Sequence, residues 1–207
     1  EPIQGEGGIQ HFDTNFLLQL KLICEQKNWL FIADEVQCGM GRTGYWWSSK
    51  KNQIIPDVLT SAKGLGNGFP IGACLTSSKF MNIFEPGNHG STFGGNPLAC
   101  VASLETIKII EDENLLDNAK IQGRKIKDQL TSEFKDSPKI KEIRGAGLMI
   151  GIEFYEDCKN LNKIALENNV ILNITSNNTL RLLPPLIIND QESDFLVEKI
   201  IKIISNQ

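Results

Sequence analysis

The 207 residues are enough for one large or two small domains. With 41 % hydrophobic and 22 % charged residues, the composition is that of a globular protein, which excludes disordered and fibrous classes. A net charge of −4 with no basic run longer than Lys50-Lys51 argues against nucleic acid or a membrane surface as partner, and no apolar stretch approaches the roughly 18 residues of a membrane helix. Cys24, Cys38, Cys74, Cys100 and Cys158 form no CxxC pair and are odd in number. That fits small buried thiols in a reducing cytosol better than a disulfide framework. His11 and His89 are not spaced as a metal pair, so no zinc site is expected. No secretory leader is visible, and a cytoplasmic location is expected. Glu1 stands where an initiating Met would be, so the chain is expected to begin inside a longer one.

In chain order, Phe12, Phe16, Leu17, Leu20 and Ile23 give helical spacing over 12–27. Trp29 to Ala33 is a continuous apolar run ending in Asp34-Glu35. It predicts a strand of a parallel sheet with both faces covered. Residues 39–44 are a glycine-rich loop. Asp57 to Ser61 predicts a second strand, ending near Lys63, and Ile71 to Thr76 a third. Asn96-Pro97 reads as an N-cap followed by proline at the first helical position, opening a helix to about 111. A second helix is predicted over 114–134. Beyond it residues 141–155 read as one strand around Leu148 to Phe154, followed by a helix at 159–168 and strands at 170–174 and 179–183. Asn189 with Glu192 resembles a capping box before a last helix, 190–204. The first part reads as α/β, and the second as a smaller α+β domain. The expected domains are 1–110 and 111–207.

Asp34 closes an apolar strand, and in open α/β sheets ligands bind at the carboxyl ends of strands. A carboxylate there can hold a cation such as a protonated pyridine nitrogen, or simply end the strand. Lys63 follows another strand end among small residues, which let a second group approach. It reads either as a solvated lysine or as an amine nucleophile. Taken together, the two would face one crevice and suit pyridoxal phosphate (PLP) chemistry. Gly39, Gly41 and Gly44 fit the GxGxxG dinucleotide pattern, but no apolar helical period follows, so the match is read as chance. Ser91 and Thr92 lie before a helix N-terminus, a place that suits a phosphate or a plain capped loop. Arg181 is a single charge in an apolar strand. It either binds a carboxylate or reaches water, with Glu1 and Glu6 as candidate partners.

Four motifs occur in order: Glu1-Pro-Ile-Gln-Gly-Glu-Gly-Gly8; Asp34-Glu-Val-Gln37 with Gly39 to Gly44; Lys63-Gly-Leu-Gly-Asn-Gly-Phe-Pro-Ile-Gly72; and Gly90-Ser-Thr-Phe-Gly-Gly-Asn-Pro-Leu-Ala99. With Arg144 to Gly151 and Leu180 to Pro184 they span nearly the whole chain. This pattern resembles the class III aminotransferases of the fold-type I PLP enzymes, with most similarity to those acting on acetylornithine and ornithine. The resemblance implies that Lys63 binds the cofactor aldehyde and then carries the proton. It implies Asp34 on the pyridinium nitrogen, Val36 on one ring face and Gln37 at the ring hydroxyl. Thr92, with Ser91, would bind the cofactor phosphate of the neighbouring subunit of a homodimer. Arg181 would take the substrate carboxylate, and Glu6 would pair with it when a terminal amino group is donated. Arg144 is assigned to structure.

The implied reaction passes the terminal amino group of N-acetylornithine, or a related diamino acid, to 2-oxoglutarate in arginine biosynthesis. Ornithine, succinylornithine and 4-aminobutyrate are the alternative donors. Family members are about twice this length. The chain therefore corresponds to their C-terminal half and lacks the other phosphate loop and the aromatic that stacks on the second ring face. A catalytically inactive fragment is the competing expectation, and a nucleotide-binding module a third.

Overall fold

The structure is a computed structural model describing residues 1–206. The chain clusters into two units. One holds residues 1–2, 12–41 and 45–114; the other holds 3–11, 42–44 and the run from Leu115 onward. The elements are β1 (Ile3–Gln4), β2 (Gln10–His11), α1 (Thr14–Lys27), β3 (Ile32–Asp34), α2 (Ser48–Lys51), β4 (Val58–Ser61), β5 (Ala73–Thr76), α3 (Pro97–Asp112), α4 (Leu115–Glu133), β6 (Ile140–Ala146), β7 (Met149–Phe154), α5 (Leu161–Glu167), β8 (Asn173–Thr175), β9 (Thr179–Leu182) and α6 (Asp190–Ser205).

In the first unit, α1 begins where the Asp13 side chain accepts from the Asn15 and Phe16 amides, and ends at left-handed Asn28. Each device satisfies backbone groups that the helix itself leaves open. The sheet runs β3-β4-β5, with β3 parallel to β4 and β4 antiparallel to β5. The expectation that the β3 strand has both faces covered is corrected. Ala33, Leu59 and Ser61 are buried, whereas Trp29 is 62 % and Ile32 54 % exposed. Successive strand residues point to opposite faces, and only the face carrying Ala33 and Leu59 is covered. The continuous apolar run therefore does not report burial here. The cysteines are free; Cys24, Cys38 and Cys158 are buried, but Cys74 is exposed on β5, contrary to the buried expectation.

In the second unit, β6, β7, β9 and β8 form one antiparallel sheet in that order. The single strand expected over 141–155 is a hairpin, because residues 140–146 pair with β7. The turn at Gly147 and Leu148 divides that run into two strands, and a register shift between Ile140 and Glu142 breaks the alternation of β6. Strand β7 is buried at every position. Its Ile150 and Ile152 share a core with Ile126 and Leu130 of α4, Leu180 of β9, and Ile200 and Ile203 of α6. The capping box of α6 is present, with Asn189 Oδ1 accepting from the Glu192 amide and Glu192 Oε2 from the Asn189 amide, both at 3.0 Å. Leu180→Ala is expected to cost about 2–5 kcal/mol in this close-packed core. Urea denaturation checks it, and a loss below about 1 kcal/mol would contradict the packing.

Three remote stretches of this unit meet backbone to backbone. A Cβ on Gly123 of α4 would lie 2.0 Å from the Gly147 carbonyl oxygen, and one on Gly147 (φ 52°) would lie 2.5 Å from the Thr43 carbonyl carbon. The Leu148 amide donates to Arg42 O at 2.9 Å. The Arg42 guanidinium donates to the carbonyls of Pro184 and Leu148, and burial lowers its pKa to about 10.

Candidate active site

Asp34 ends β3, and the parallel register sets it opposite Thr60 of β4. Thr60 Oγ1 donates to Asp34 Oδ1 at 3.1 Å, and the Val36 amide donates to the same oxygen at 3.0 Å. The carboxylate is thereby oriented through one oxygen, and among the described residues Oδ2 has no hydrogen-bond donor. Lys63 lies three residues past Thr60 and opens a 3-10 turn, Lys63–Leu65. Its backbone is left-handed at φ 42°, a costly conformation for a residue with a Cβ and one that concentrates at functional sites. The side chain is exposed, and its ammonium has no hydrogen-bond or ion-pair partner among the described residues. Val36 and Gln37 are half-buried, and Gln37 Nε2 donates to Glu1 Oε1 at 3.2 Å.

Glu35 was missed by sequence reasoning. Its carboxylate is buried and accepts from the Ser48 amide at 2.8 Å, the Ser49 amide at 2.6 Å and the Cys38 thiol at 3.2 Å. The two amides belong to the first turn of α2, where a negative charge is stabilised. Glu35 therefore fixes the bend that carries Asp34, Val36 and Gln37. The alternation of β3 offered a clue, since neighbouring carboxylates on a strand must face opposite ways.

Ser91 and Thr92 lie in an exposed loop before α3. Ser91 Oγ accepts from the Gly94 amide at 3.0 Å, and Asn96 Oδ1 accepts from the Ala99 amide at 3.0 Å, capping the helix. No hydrogen bond joins Ser91 or Thr92 to Asp34 or Lys63 among the described residues. The Gly39–Gly44 loop leads only to the four-residue α2, not to the long helix a dinucleotide fingerprint opens. A Cβ on Gly39 would lie 2.7 Å from Glu35 O, so that glycine serves the bend.

In the second unit, Arg181 Nη1 and Glu6 Oε1 form an ion pair at 2.7 Å, across 175 positions of sequence. Arg181 Nε donates to Asn173 Oδ1 of the paired strand at 2.8 Å. The arginine side chain is 11 % exposed and the glutamate 70 %. Arg144 is buried. It donates to the carbonyls of Gly8 and Ile9 and pairs with Glu142 at 2.9 Å and with Glu153. Among the described residues, no three His, Cys, Asp or Glu side chains are grouped to hold a metal, and no helix is long and apolar enough to cross a membrane.

The family profile described as Aminotransferase class-III matches residues 1–204. Acetylornithine aminotransferase of Nitrosomonas europaea is 45 % identical over 205 residues, covering 99 % of this chain and 52 % of that protein. Ornithine aminotransferase of Bacillus subtilis is 42 % identical over 207 residues, covering 100 % of this chain and 51 % of that protein. The solved structure of ornithine aminotransferase from Toxoplasma gondii ME49 superposes with a TM-score of 0.94 at 37 % identity, covering 99 % of this chain and 50 % of that one. The chain spans about half the length of the curated relatives it matches. The match across residues 1–204 means that this chain belongs to the class III aminotransferases, a family of PLP-dependent enzymes.

Proposed function

We propose that this chain forms part of an aminotransferase that passes the terminal amino group of N-acetylornithine, or a related diamino acid, to 2-oxoglutarate. The reading extends to a homodimer with shared sites, in the cytoplasm, serving arginine biosynthesis. The observation that carries it is the parallel β3–β4 register, which sets the oriented Asp34 carboxylate and the unpaired Lys63 amine on neighbouring strand ends.

The residues fit the cofactor: an amine without a partner suits an aldehyde, and a carboxylate with one oxygen open suits a ring nitrogen. Bound PLP supplies a sink for the electrons left when a carbon–hydrogen bond breaks. Lys63 Nζ would hold the aldehyde carbon and, once displaced there by the substrate amine, would take the proton from the substrate carbon and return it. The Asp34 carboxylate keeps the ring nitrogen protonated, with Thr60 and Val36 holding its other oxygen. Val36 would pack on a ring face and Gln37 would reach the ring hydroxyl. Ser91 and Thr92 would offer hydroxyls to the phosphate held by the neighbouring subunit. The Arg181 guanidinium binds the substrate carboxylate through two parallel hydrogen bonds. Glu6 occupies Arg181 while a terminal amine reacts, and yields it to the incoming 2-oxo acid. Ornithine, succinylornithine and 4-aminobutyrate are the competing donors. A second reading, that these residues alone do not catalyse, is supported by the exposed Trp29, Leu30 and Ile32 and by the half-length coverage of relatives.

The test is an absorbance titration with PLP, then half-reactions with the four donors and with glutamate. A cofactor band that bleaches with N-acetylornithine faster than with the other donors supports the reading; a cofactor band that no terminal-amine donor bleaches sinks it. Removing the Arg181 guanidinium (Arg181→Ala) is expected to lower kcat/KM for glutamate about 10- to 100-fold, the worth of a charged hydrogen-bond pair. The loss with terminal-amine donors should be smaller.

A further inference from the structure

Glu6 is the exposed member of the Arg181 pair, so apart from that ion pair little holds its side chain in place. An exposed carboxylate keeps rotamer freedom, and water competes for it. Yet the loop that bears it, between β1 and β2, is anchored from two directions. Thr175 Oγ1 and Ser176 Oγ both donate to the Glu6 backbone carbonyl, the second at 3.1 Å. Arg144 Nε donates to Gly8 O and to Ile9 O at 3.1 Å each, and Nη2 donates to Gly8 O at 2.5 Å. The two anchors converge over Gly8, which is left-handed at φ 91°. A Cβ there would lie 3.1 Å from Thr179 Oγ1 and 3.4 Å from both Arg144 Nη2 and Ser176 Oγ. Thr175 is buried, so its hydroxyl has no water to turn to. Glu153 and Glu142 balance the Arg144 charge and aim the guanidinium at the loop. Backbone fixed and carboxylate free is the division a reversible cover on Arg181 needs.

We propose, resting on the aminotransferase reading above, that Thr175, Ser176 and Arg144 are positioning residues for Glu6. They immobilise the loop backbone so that only the Glu6 side chain moves when a carboxylate claims Arg181. The preference for a terminal over an α-amino donor then depends on groups that touch no substrate. Loosening the loop leaves Glu6 less often on Arg181, so the α-carboxylate of glutamate gains access while the terminal-amine donor loses its alignment.

The test uses the holoenzyme carrying the double variant Thr175→Val with Ser176→Ala, which keeps shape and removes both donors, beside Thr175→Ser, which keeps the hydroxyl. In the double variant, the ratio of kcat/KM for N-acetylornithine to that for glutamate is expected to fall about 10-fold, the worth of a lost buried hydrogen bond. Thr175→Ser should retain the ratio. Amide hydrogen exchange in the 5–9 loop should accelerate about 10-fold in the double variant, with β6 and β7 unchanged. The proposal is overturned if both donors lose the same factor or if the loop exchanges as in the wild type. Should the wild type accept no terminal-amine donor, the functional reading fails by itself. Loop exchange then decides the anchoring: acceleration supports it and no change overturns it.

Discussion

Replacing Lys63 by alanine is expected to lower turnover of the proposed aminotransferase about 10,000-fold, since in that proposal one group would supply both covalent attachment and proton transfer. The fold should survive. Lys63 is exposed, and its Nζ has no partner among the described residues, so the variant should match the wild type within about 0.5 kcal/mol. The φ of 42° is no easier for alanine than for lysine, so backbone strain is common to both. Borohydride reduction of the PLP-loaded wild type, followed by peptide mapping, should place the label on Lys63 and lose it in the variant. Label on Lys50, Lys51 or Lys79 instead would remove Lys63 from the chemistry. A variant that loses turnover together with its thermal transition would show a structural role.

Glu153→Gln should produce the largest stability loss. Arg144 and Glu153 are both buried, and among the described residues the guanidinium would keep only Glu142, whose side chain is 56 % exposed, as a counter-charge. Breaking one side of a buried pair costs about 3–5 kcal/mol because the other charge is stranded. Burial alone would raise the Glu153 carboxyl pKa. Hydrogen bonds from Lys141 and Arg144, followed by their charges, outweigh burial and hold it below its ordinary value. The folded state therefore takes up this proton less readily than the unfolded chain. The stabilisation is complete above the unfolded value of about 4.3 and disappears as pH falls through the lower folded value. Urea midpoints from pH 7 to pH 3 should fall more steeply in the wild type than in Glu153→Gln. Equal slopes, or a loss under about 1 kcal/mol at pH 7, would sink the argument.

Local chemistry made much of the second unit legible in advance. The last helix was expected over 190–204 from Asn189 and Glu192 and spans Asp190–Ser205, because a capping box is a contact within four residues. The apolar spacing over 12–27 opens two residues before α1, because Phe12 matches the helical period and the cap at Asp13 lies after it. Strands β6 and β7 read as one strand over 141–155, because the two-residue turn at Gly147 and Leu148 is too short to interrupt the pattern. The run from Trp29 to Ala33 predicts a strand covered on both faces, yet Trp29 and Ile32 are exposed, because apolarity reports which residues can be buried and not whether a neighbour covers them. Within the site, Asp34 and Lys63 were legible as strand-end residues, and the Thr60 hydroxyl that orients Asp34 was not. Pairing register is a relation between segments, and a single sequence does not contain it. For the same reason Glu6 and Arg181 were candidate partners that only folding could join, and Thr175 and Ser176 were invisible. Ser91 and Thr92 rest on resemblance, as their loop geometry alone fits a helix cap equally well.

The threading of the second unit bears on how such a protein can be recombined. A piece beginning at Leu115 carries the entire four-stranded sheet and its core, and so looks like a transferable module. It would leave behind the Gly8 and Ile9 carbonyls that satisfy Arg144, the Glu6 carbonyl that satisfies Thr175, and the Arg42 carbonyl that receives the Leu148 amide. Each orphaned donor costs about 1–3 kcal/mol, which is comparable in sum to the whole stability of a small domain. A crossover between two homologous parents anywhere from 45 to 114 would therefore separate contacts that have to be inherited together. Viable chimeras should draw 3–11, 42–44 and the C-terminal run from the same parent, so the unit that natural exchange can move is longer than the unit the eye picks out.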